Sequence, residues 1–114
     1  MKELLENLKE FVKKRSWDQF HSPKNLAIAL NIEAAELLEI FLWLSDNESI
    51  NIDEKKLSSL QDEIGDVLIY LVLLAHKFDL NPVECAKNKI KKNEKKYPAD
   101  LVKGKAIKYN EYSP

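Results

Sequence analysis

Two pairs of acidic residues, each spaced i, i+3, are the feature of the sequence with the clearest chemical meaning. Glu33 and Glu36 form the first pair, and Glu63 and Asp66 form the second. On an α-helix this spacing places both carboxylates of a pair on one face. Both pairs lie among apolar residues, and carboxylates that are close together and partly buried repel one another. A divalent cation with a preference for oxygen ligands removes this conflict. We therefore expect two antiparallel helices to bring the four acids around Mg²⁺.

Helices are the elements that must position these acids, and the sequence predicts four of them. Apolar residues recur at helical spacing in each of four segments, and Ser22-Pro23, Asp53 and Asn81-Pro82 are typical of helix starts. The predicted helices span residues 2–14, 23 to about 43, 53 to about 78, and 82 to about 96. The polar segment 45–51 is predicted to be a loop.

Length and composition indicate one all-α domain. The chain has 114 residues, and Gly and Pro together contribute only six of them, which suits long helices around one core. We expect the helical domain to span residues 1–98. Residues 99–114 show no clear period and are predicted to form a C-terminal tail.

Charge, cysteine content and hydropathy exclude several classes of protein. The net charge of −1 gives no support for binding to nucleic acid or a membrane surface. Cys85 is the only cysteine, so an intrachain disulfide and a C-x-x-C metal motif are excluded. The longest apolar run, residues 67–75, is far shorter than the roughly 20 residues that span a bilayer. No signal peptide is recognisable. We expect a soluble cytoplasmic protein.

The third predicted helix favours an oligomer. Its second half, residues 67–75, is apolar on every side, and the second predicted helix carries Ile28, Ile32 and Ile40 away from its main apolar face. A small domain cannot cover such helices on all sides by itself. A second copy of the chain is the simplest cover, so the sequence predicts a homo-oligomer.

Two further groups of residues have the chemistry of a ligand site. Trp17, Phe20 and His21 lie in the connection after the first helix, where aromatic side chains either anchor a loop to the core or form a wall for a planar ligand. On the fourth helix an ammonium, an amide and a phenol share one face, which suits phosphate and sugar oxygens. Those residues are Lys89, Asn93, Lys96 and Tyr97. A lysine-rich helix is, however, more often a solvated surface than a ligand site.

Four segments of the chain form a pattern: residues 16–26, the E-A-A-E motif at 33–36, the E-I-G-D motif at 63–66, and K-I-K-K-N-E-K-K-Y-P at 89–98. Their order and separation resemble those of the MazG-like nucleotide pyrophosphohydrolases, most closely the dCTP pyrophosphatase type. Each acidic motif alone would be a weak signal. Together with the other two segments they make the resemblance specific, and it spans about residues 1–98.

The resemblance implies a fold, a reaction and a set of site residues. It implies a four-helix NTP pyrophosphatase fold assembled as a dimer or tetramer, which hydrolyses a nucleoside triphosphate to the monophosphate and pyrophosphate with Mg²⁺. By motif, the metal ligands would be Glu33, Glu36, Glu63 and Asp66. The base pocket would contain Trp17, His21 and Trp43, with Tyr70 stacked on sugar or base. The phosphates or sugar would be held by Lys89, Asn93, Lys96 and Tyr97.

One departure from the family pattern concerns the catalytic base. Many MazG-type proteins open the first motif with two consecutive acids, whereas Ile32 precedes Glu33 in this chain. Glu36 and Glu39, one helical turn apart, are the remaining choices for the group that takes a proton from water, and the sequence does not decide between them.

The sequence therefore predicts an Mg²⁺-dependent pyrophosphohydrolase of free nucleotides, with dCTP or a modified pyrimidine nucleotide as substrate. One alternative is a related α-helical enzyme for dUTP or a phosphoribosyl nucleotide. Another is a helical interaction module without catalysis. Four converging carboxylates favour an enzyme, because an interaction module does not need them.

Overall fold

A computed structural model describes residues 1–106 of the protein and shows helices as its only regular secondary structure over that range. The four long helices are α1 (Lys2–Lys14), α2 (Pro23–Phe41), α4 (Glu54–His76) and α5 (Pro82–Lys96). Three short elements lie between or after them: a 3-10 turn (Asp18–Phe20), α3 (Asp46–Ile50) and α6 (Ala99–Val102). The all-α prediction and the four long helices are confirmed.

Side chains cap three of the long helices at the residues that the sequence indicates. The Ser22 hydroxyl accepts a hydrogen bond from the backbone N–H of Asn25 at 3.1 Å. The Asp53 carboxylate accepts one from Lys56 at 2.8 Å, and the Asn81 side chain accepts one from Val83 at 2.9 Å. Each bond satisfies an N–H that has no partner within its helix, which is why the starts of these helices can be read locally.

The predicted loop at residues 45–51 is wrong, because α3 forms there. Ser45 and Glu48 make a reciprocal capping box. The Ser45 hydroxyl accepts from the Glu48 N–H at 3.1 Å, and the Ser45 N–H donates to the Glu48 carboxylate at 2.9 Å. Hydrogen bonds from the backbone and hydroxyl of Ser45 also lower the pKa of Glu48. Two satisfied donors make a single helical turn favourable in a polar segment.

The chain divides into two compact units between Leu80 and Asn81. In the first unit α4 packs against both α1 and α2. The buried core of this unit comes from all three helices and consists of Leu8, Val12, Leu26, Val72 and Leu73.

The second unit begins at Asn81 and contains α5 and α6. Residues 99–106 of the predicted tail belong to this unit, and residues 107–114 lie outside the described range. A domain boundary near residue 98 stays a prediction.

Many large apolar side chains of the described residues are exposed. On α2, Ile28 and Ile32 are about half exposed, and on α4 Leu68 and Leu71 are each 39% exposed. These are the faces for which the sequence predicts cover from a second copy, and that prediction stays open. None of the helices described here is both long enough and apolar enough to cross a membrane.

Candidate metal centre and the neighbouring cavities

Three of the four predicted metal ligands meet where α2 packs on α4. Glu33 and Glu36 come from α2 and Glu63 comes from α4, and one carboxylate oxygen of each lies within 4.8 Å of the other two. The i, i+3 spacing in α2 directs its two acids to one side, and the contact between the helices brings Glu63 to them. Glu33 and Glu63 are half-buried, whereas Glu36 is exposed.

The packing leaves carboxylate oxygens without partners. Oε2 of Glu33 and Oε2 of Glu63 are buried and have no hydrogen-bond partner. Two facing carboxylates are both acceptors, so a proton or a cation between them would remove their repulsion. Protonation of Glu33 would let it donate a hydrogen bond to Glu63, and this bond, partial burial and the nearby Glu36 carboxylate raise the pKa of Glu33 to about 7.

The arrangement has the donor set of a hard divalent cation. Three carboxylates within reach of one point offer oxygen ligands alone, and Mg²⁺ and Ca²⁺ prefer such ligands. The unpaired buried oxygens of Glu33 and Glu63 are the atoms that a cation would satisfy. The residues present therefore fit a metal ion of this class.

Asp66, the fourth predicted ligand, lies outside the set of carboxylates that meet within 4.8 Å. It lines a neighbouring cavity of about 220 Å³ together with Trp17 and Tyr70. Leu8 and Phe11 of α1 contribute apolar surface to the same cavity. Asp66 thus lies three residues after Glu63 on α4 but faces this 220 Å³ cavity, which we call the aromatic slot.

A second cavity of about 450 Å³ opens beside the carboxylate cluster. Glu36, Glu39 and Glu63 line it, so both candidates for the catalytic base face the same space as the metal centre. Lys55, Lys56 and Ser59 of α4 complete its polar wall.

Reasoning from sequence did not single out these last three residues, although a signal was present. Lys55, Ser59 and Glu63 are spaced i, i+4 and i+8, so they lie along one face of α4. The face that carries a metal ligand also carries a hydroxyl one turn before it and an ammonium two turns before it. Such groups suit the oxygens of a polyanionic ligand.

Contacts between α1 and the connection after it border the aromatic slot. The rings of Phe11 and Trp17 meet edge to face, with centroids 5.6 Å apart. The Arg15 guanidinium lies 3.7 Å from the centroid of the Phe11 ring and 6.0 Å from that of Trp17. Aromatic and cation–π contacts of this kind fix the orientation of a side chain that is 43% exposed. Trp17 is thereby positioned as a wall of the slot.

Two other residues that were predicted to contact the ligand, His21 and Trp43, lie away from the aromatic slot. His21 does not line the aromatic slot but a separate cavity with His76. Trp43 is 89% exposed and follows α2. Trp17 and Tyr70 are brought together by the fold, whereas His21 and Trp43 do not join them within the first unit.

The predicted phosphate-binding residues belong to α5 and its C-terminal end, in the second unit. Lys89 is exposed and Asn93 is half-buried, one turn apart on the same helix. Tyr97 ends the helix, and its backbone N–H donates to the carbonyl of Asn93. The shared face on α5 is therefore present, and the role of these residues and of Lys96 stays a prediction.

Sequence comparison identifies the family. The profile of the MazG-like family matches residues 28–112, which include both acidic motifs. The chain belongs to the MazG-like family. The resemblance first recognised from four short segments is confirmed.

Individual relatives of this MazG-like chain agree with that assignment. It is 41% identical over 104 residues to dCTP pyrophosphatase 1 of Mus musculus and 39% identical to that of Homo sapiens. Each alignment covers 90% of this chain and 61% of the mammalian protein, so the chain spans about three fifths of the length of those relatives.

A solved structure shares the fold. The crystal structure of a pyrophosphatase from Archaeoglobus fulgidus superposes with a TM-score of 0.82 at 48% sequence identity. The match covers 86% of this chain and 92% of the archaeal chain. The helical fold of this MazG-like protein is therefore that of a known pyrophosphatase.

Proposed function

We propose that this chain is a metal-dependent nucleoside triphosphate pyrophosphohydrolase, which converts a nucleoside triphosphate and water into the monophosphate and pyrophosphate. The observation that carries the proposal is the cluster of Glu33, Glu36 and Glu63 with two buried, unpartnered oxygens. Its occurrence in a chain 41% identical to a dCTP pyrophosphatase supports hydrolysis of a nucleotide.

The metal is proposed to be Mg²⁺, held by these three carboxylates. A bound divalent cation supplies charge neutralisation and Lewis acidity to phosphate oxygens. Asp66 lies one turn from Glu63 on α4 and is proposed to join the site when the nucleotide is bound. Mg²⁺ can be coordinated by carboxylate and phosphate oxygens together, so three protein ligands are sufficient before the nucleotide binds.

The residues of the cavity beside the cluster have roles that follow from their chemistry. Glu36 or Glu39 accepts the proton of the water that attacks the α-phosphorus, because both carboxylates face this cavity. Lys55 and Lys56 hold the charge that builds on the departing pyrophosphate. Ser59 donates a hydrogen bond to a phosphate oxygen. No covalent intermediate is required.

The aromatic slot is proposed to hold the base. Trp17 and Tyr70 offer flat surfaces, and Leu8 and Phe11 exclude water from the slot. A pyrimidine nucleotide such as dCTP, or a modified relative of it, is the proposed substrate, because the mammalian relatives are named dCTP pyrophosphatase 1.

Assembly is proposed to complete the site. The exposed apolar faces of α2 and α4, and Trp43 at 89% exposure, suit burial against a second copy in a dimer or tetramer. Lys89, Asn93, Lys96 and Tyr97 are then proposed to hold phosphate or sugar, and Trp43 and His21 remain candidates for contact with the nucleotide.

The test is release of pyrophosphate from a panel of ribo- and deoxynucleoside triphosphates, with Mg²⁺ and with EDTA. We expect turnover that requires Mg²⁺ and favours one pyrimidine. The variant Glu63→Gln should lose turnover while keeping its helical circular dichroism. Asp62→Asn is the matched control, because Asp62 is the exposed neighbour of Glu63 and lies outside the cluster.

The same experiment separates the alternatives. Turnover of dUTP or a phosphoribosyl nucleotide in preference to dCTP would correct the substrate and keep the reaction class. A folded protein that releases no pyrophosphate from any nucleotide would overturn the enzyme proposal and favour a helical interaction module.

A further inference from the structure

The connection at residues 16–21 carries two candidate nucleotide contacts, one at each end of its 3-10 turn. Trp17 directly precedes the turn and His21 directly follows it. The backbone N–H of Phe20 donates to the carbonyl of Trp17 at 2.9 Å, and that of His21 donates to the carbonyl of Asp18 at 3.0 Å. The turn therefore sets the spacing between the two candidate contacts.

Burial of apolar surface does not hold this connection in place. No residue of the 3-10 turn is buried, and the Phe20 side chain is 60% exposed. A segment that buries little surface opens at low cost in free energy unless other contacts fix its backbone. The conformation of the connection thus depends on its hydrogen bonds.

The chain enters the connection through a residue in the left-handed conformation. Ser16 has a φ of 53°, which is uncommon for residues other than glycine. Its backbone N–H donates to the carbonyl of Lys13, and that of Trp17 donates to the carbonyl of Val12, both at 3.1 Å. This is the hydrogen-bond pattern of a Schellman motif at the end of α1. Serine is less favourable than glycine in this conformation, so the surrounding contacts have to stabilise it.

Two side-chain amides brace the backbone on either side of the turn. The Gln19 Nε2 donates to the carbonyl of Ser16 at 2.9 Å, and the Asn25 Nδ2 donates to the carbonyl of Phe20 at 3.0 Å. The second bond reaches from the first turn of α2 back to the connection. Leu26, the next residue of α2, is a core residue only 1% exposed, so Asn25 attaches the connection to a fixed part of the fold.

Capping of α2 accounts for the backbone of Asn25 but not for its side chain. The backbone N–H of Asn25 donates to the Ser22 hydroxyl at 3.1 Å, a bond that does not depend on the side chain at this position. The side-chain amide is directed at the Phe20 carbonyl instead. Asn25 lines none of the described cavities, so any effect of its side chain on a ligand is indirect.

We propose that Asn25 is a positioning residue for the base of the nucleotide. Its amide holds the Phe20 carbonyl and so keeps the connection, with Trp17 at the aromatic slot, in one conformation. This inference rests on the proposed function, because it takes the slot as the base site. Without the brace only a fraction of the molecules has the connection in the binding conformation, and the apparent affinity falls by that fraction. Asn25 is not part of the carboxylate cluster, so the chemical step should be affected little.

The first measurement is NMR of the full-length protein without nucleotide. The chain has two tryptophans, and the spectrum of Trp43→Phe assigns their indole N–H signals. Asn25→Ala should shift or broaden the signal of Trp17. The signal of Trp43 should stay unchanged, because Trp43 follows the opposite end of α2. Helical circular dichroism should be retained, since the Asn25 side chain is exposed.

The second measurement is steady-state release of pyrophosphate from the preferred nucleotide with Mg²⁺. Asn25→Ala should raise KM by roughly two- to tenfold, the range that one hydrogen bond supports, and leave kcat nearly unchanged. Inhibition by inorganic tripolyphosphate should not change, because this probe has phosphates but no base. Asn25→Asp should raise KM as well, since a carboxylate cannot donate to the Phe20 carbonyl.

Lys24→Gln is the matched control for Asn25→Asp. Both changes make the first turn of α2 more negative by one unit of charge, and both positions are exposed. Lys24 lines none of the described cavities. The control should keep the natural KM and the natural signal of Trp17.

Three results would overturn the proposal: an unchanged Trp17 signal in both Asn25 variants, an unchanged KM in both, or an equal rise of KM in Lys24→Gln. Equal weakening of tripolyphosphate and nucleotide would also contradict it, because the loss would then lie at the phosphates. A natural protein that turns over no nucleotide would overturn the proposed function instead. The Trp17 signal would still decide whether Asn25 holds the connection.

Discussion

The two halves of α4 carry opposite electrostatic arrangements: like charges meet in the first half, and opposite charges pair at the end of the second. Around Glu63 the helix brings like charges together and leaves two oxygens buried without a donor. At its C-terminal end Lys77 reaches Asp18, and the pair is satisfied within the chain at 2.9 Å. The carboxylate cluster therefore depends on something outside the chain, a proton or a cation, whereas the ion pair does not.

The ion pair stabilises the fold, whereas the carboxylate cluster destabilises it and depends on the packing around it. A buried acceptor without a donor costs stability, and helix packing between α2 and α4 must compensate for it. The ion pair between Lys77 and Asp18 links the connection at residues 16–21 to the C-terminal end of α4. Replacing a residue of the cluster should lower activity and raise the stability of the metal-free protein. Replacing a residue of the ion pair should lower stability and leave activity in place.

The largest effect is expected for Glu33→Gln. It removes a metal ligand and should lower turnover by on the order of a hundredfold or more, as the loss of a key electrostatic group does. The same change should raise the melting temperature of the metal-free protein, because the amide donates a hydrogen bond where two carboxylates repelled each other. Turnover with Mg²⁺ and thermal denaturation in EDTA measure the two effects. A variant that is inactive and also less stable without metal would contradict this account of the cluster.

The second prediction concerns pH. The pKa of Glu33 is raised from 4.5 to about 7, so the folded protein binds this proton more tightly than the unfolded chain does. The stabilisation from this proton is full below about pH 4.5 and is lost as the pH rises towards 7. Metal-free protein should therefore lose stability from Glu33 across that window. Thermal denaturation in EDTA at several pH values measures it.

Two comparisons sharpen the pH prediction. Glu33→Gln should remove this part of the pH dependence, since the amide does not titrate. Saturating Mg²⁺ should also remove it, because the cation replaces the proton between the carboxylates. A pH profile that is the same in EDTA, in Mg²⁺ and in the variant would show that the cluster does not hold the proton.

The sequence predicts what depends on local interactions, and it fails where distant segments meet. Ser22, Asp53 and Asn81 mark helix starts because each caps its own backbone. The capping box of Ser45 and Glu48 is equally local, and its S-x-x-E spacing is the signal that indicates α3 within a polar segment.

The candidate site shows the same limit of prediction from local sequence. The i, i+3 pairs place the acids on helix faces, yet only the packing of α2 on α4 determines that Glu33, Glu36 and Glu63 converge while Asp66 faces the aromatic slot. Nor does the spacing of Trp17 and His21 show that they line different cavities. That depends on how the connection packs against α1 and α4.

A smaller effect is expected for Lys55→Gln. Lys55 is exposed and lines the cavity beside the cluster, where its charge is proposed to act on the departing pyrophosphate. One exposed charge is worth about 1 kcal/mol or less, so kcat/KM should fall by roughly fivefold or less. Lys24→Gln on α2 is the control, since Lys24 is exposed and lines none of the described cavities. An equal fall in both variants would indicate a general attraction of substrate instead of a contact in the cavity.

The smallest effect is expected for Asp18→Asn, at the satisfied end of α4. The Lys77 hydrogen bond and charge lower the pKa of Asp18, so the ion pair stabilises the fold at neutral pH and is lost as the pH falls through that lowered pKa. Because the Asp18 side chain is largely exposed, water and salt weaken the interaction. The variant should melt slightly below the natural protein at low salt and at the same temperature at high salt, and its metal-dependent turnover should be retained. A loss of turnover as large as that of Glu33→Gln would show instead that the connection at residues 16–21 and the carboxylate cluster depend on each other, and that the two halves of α4 are not independent.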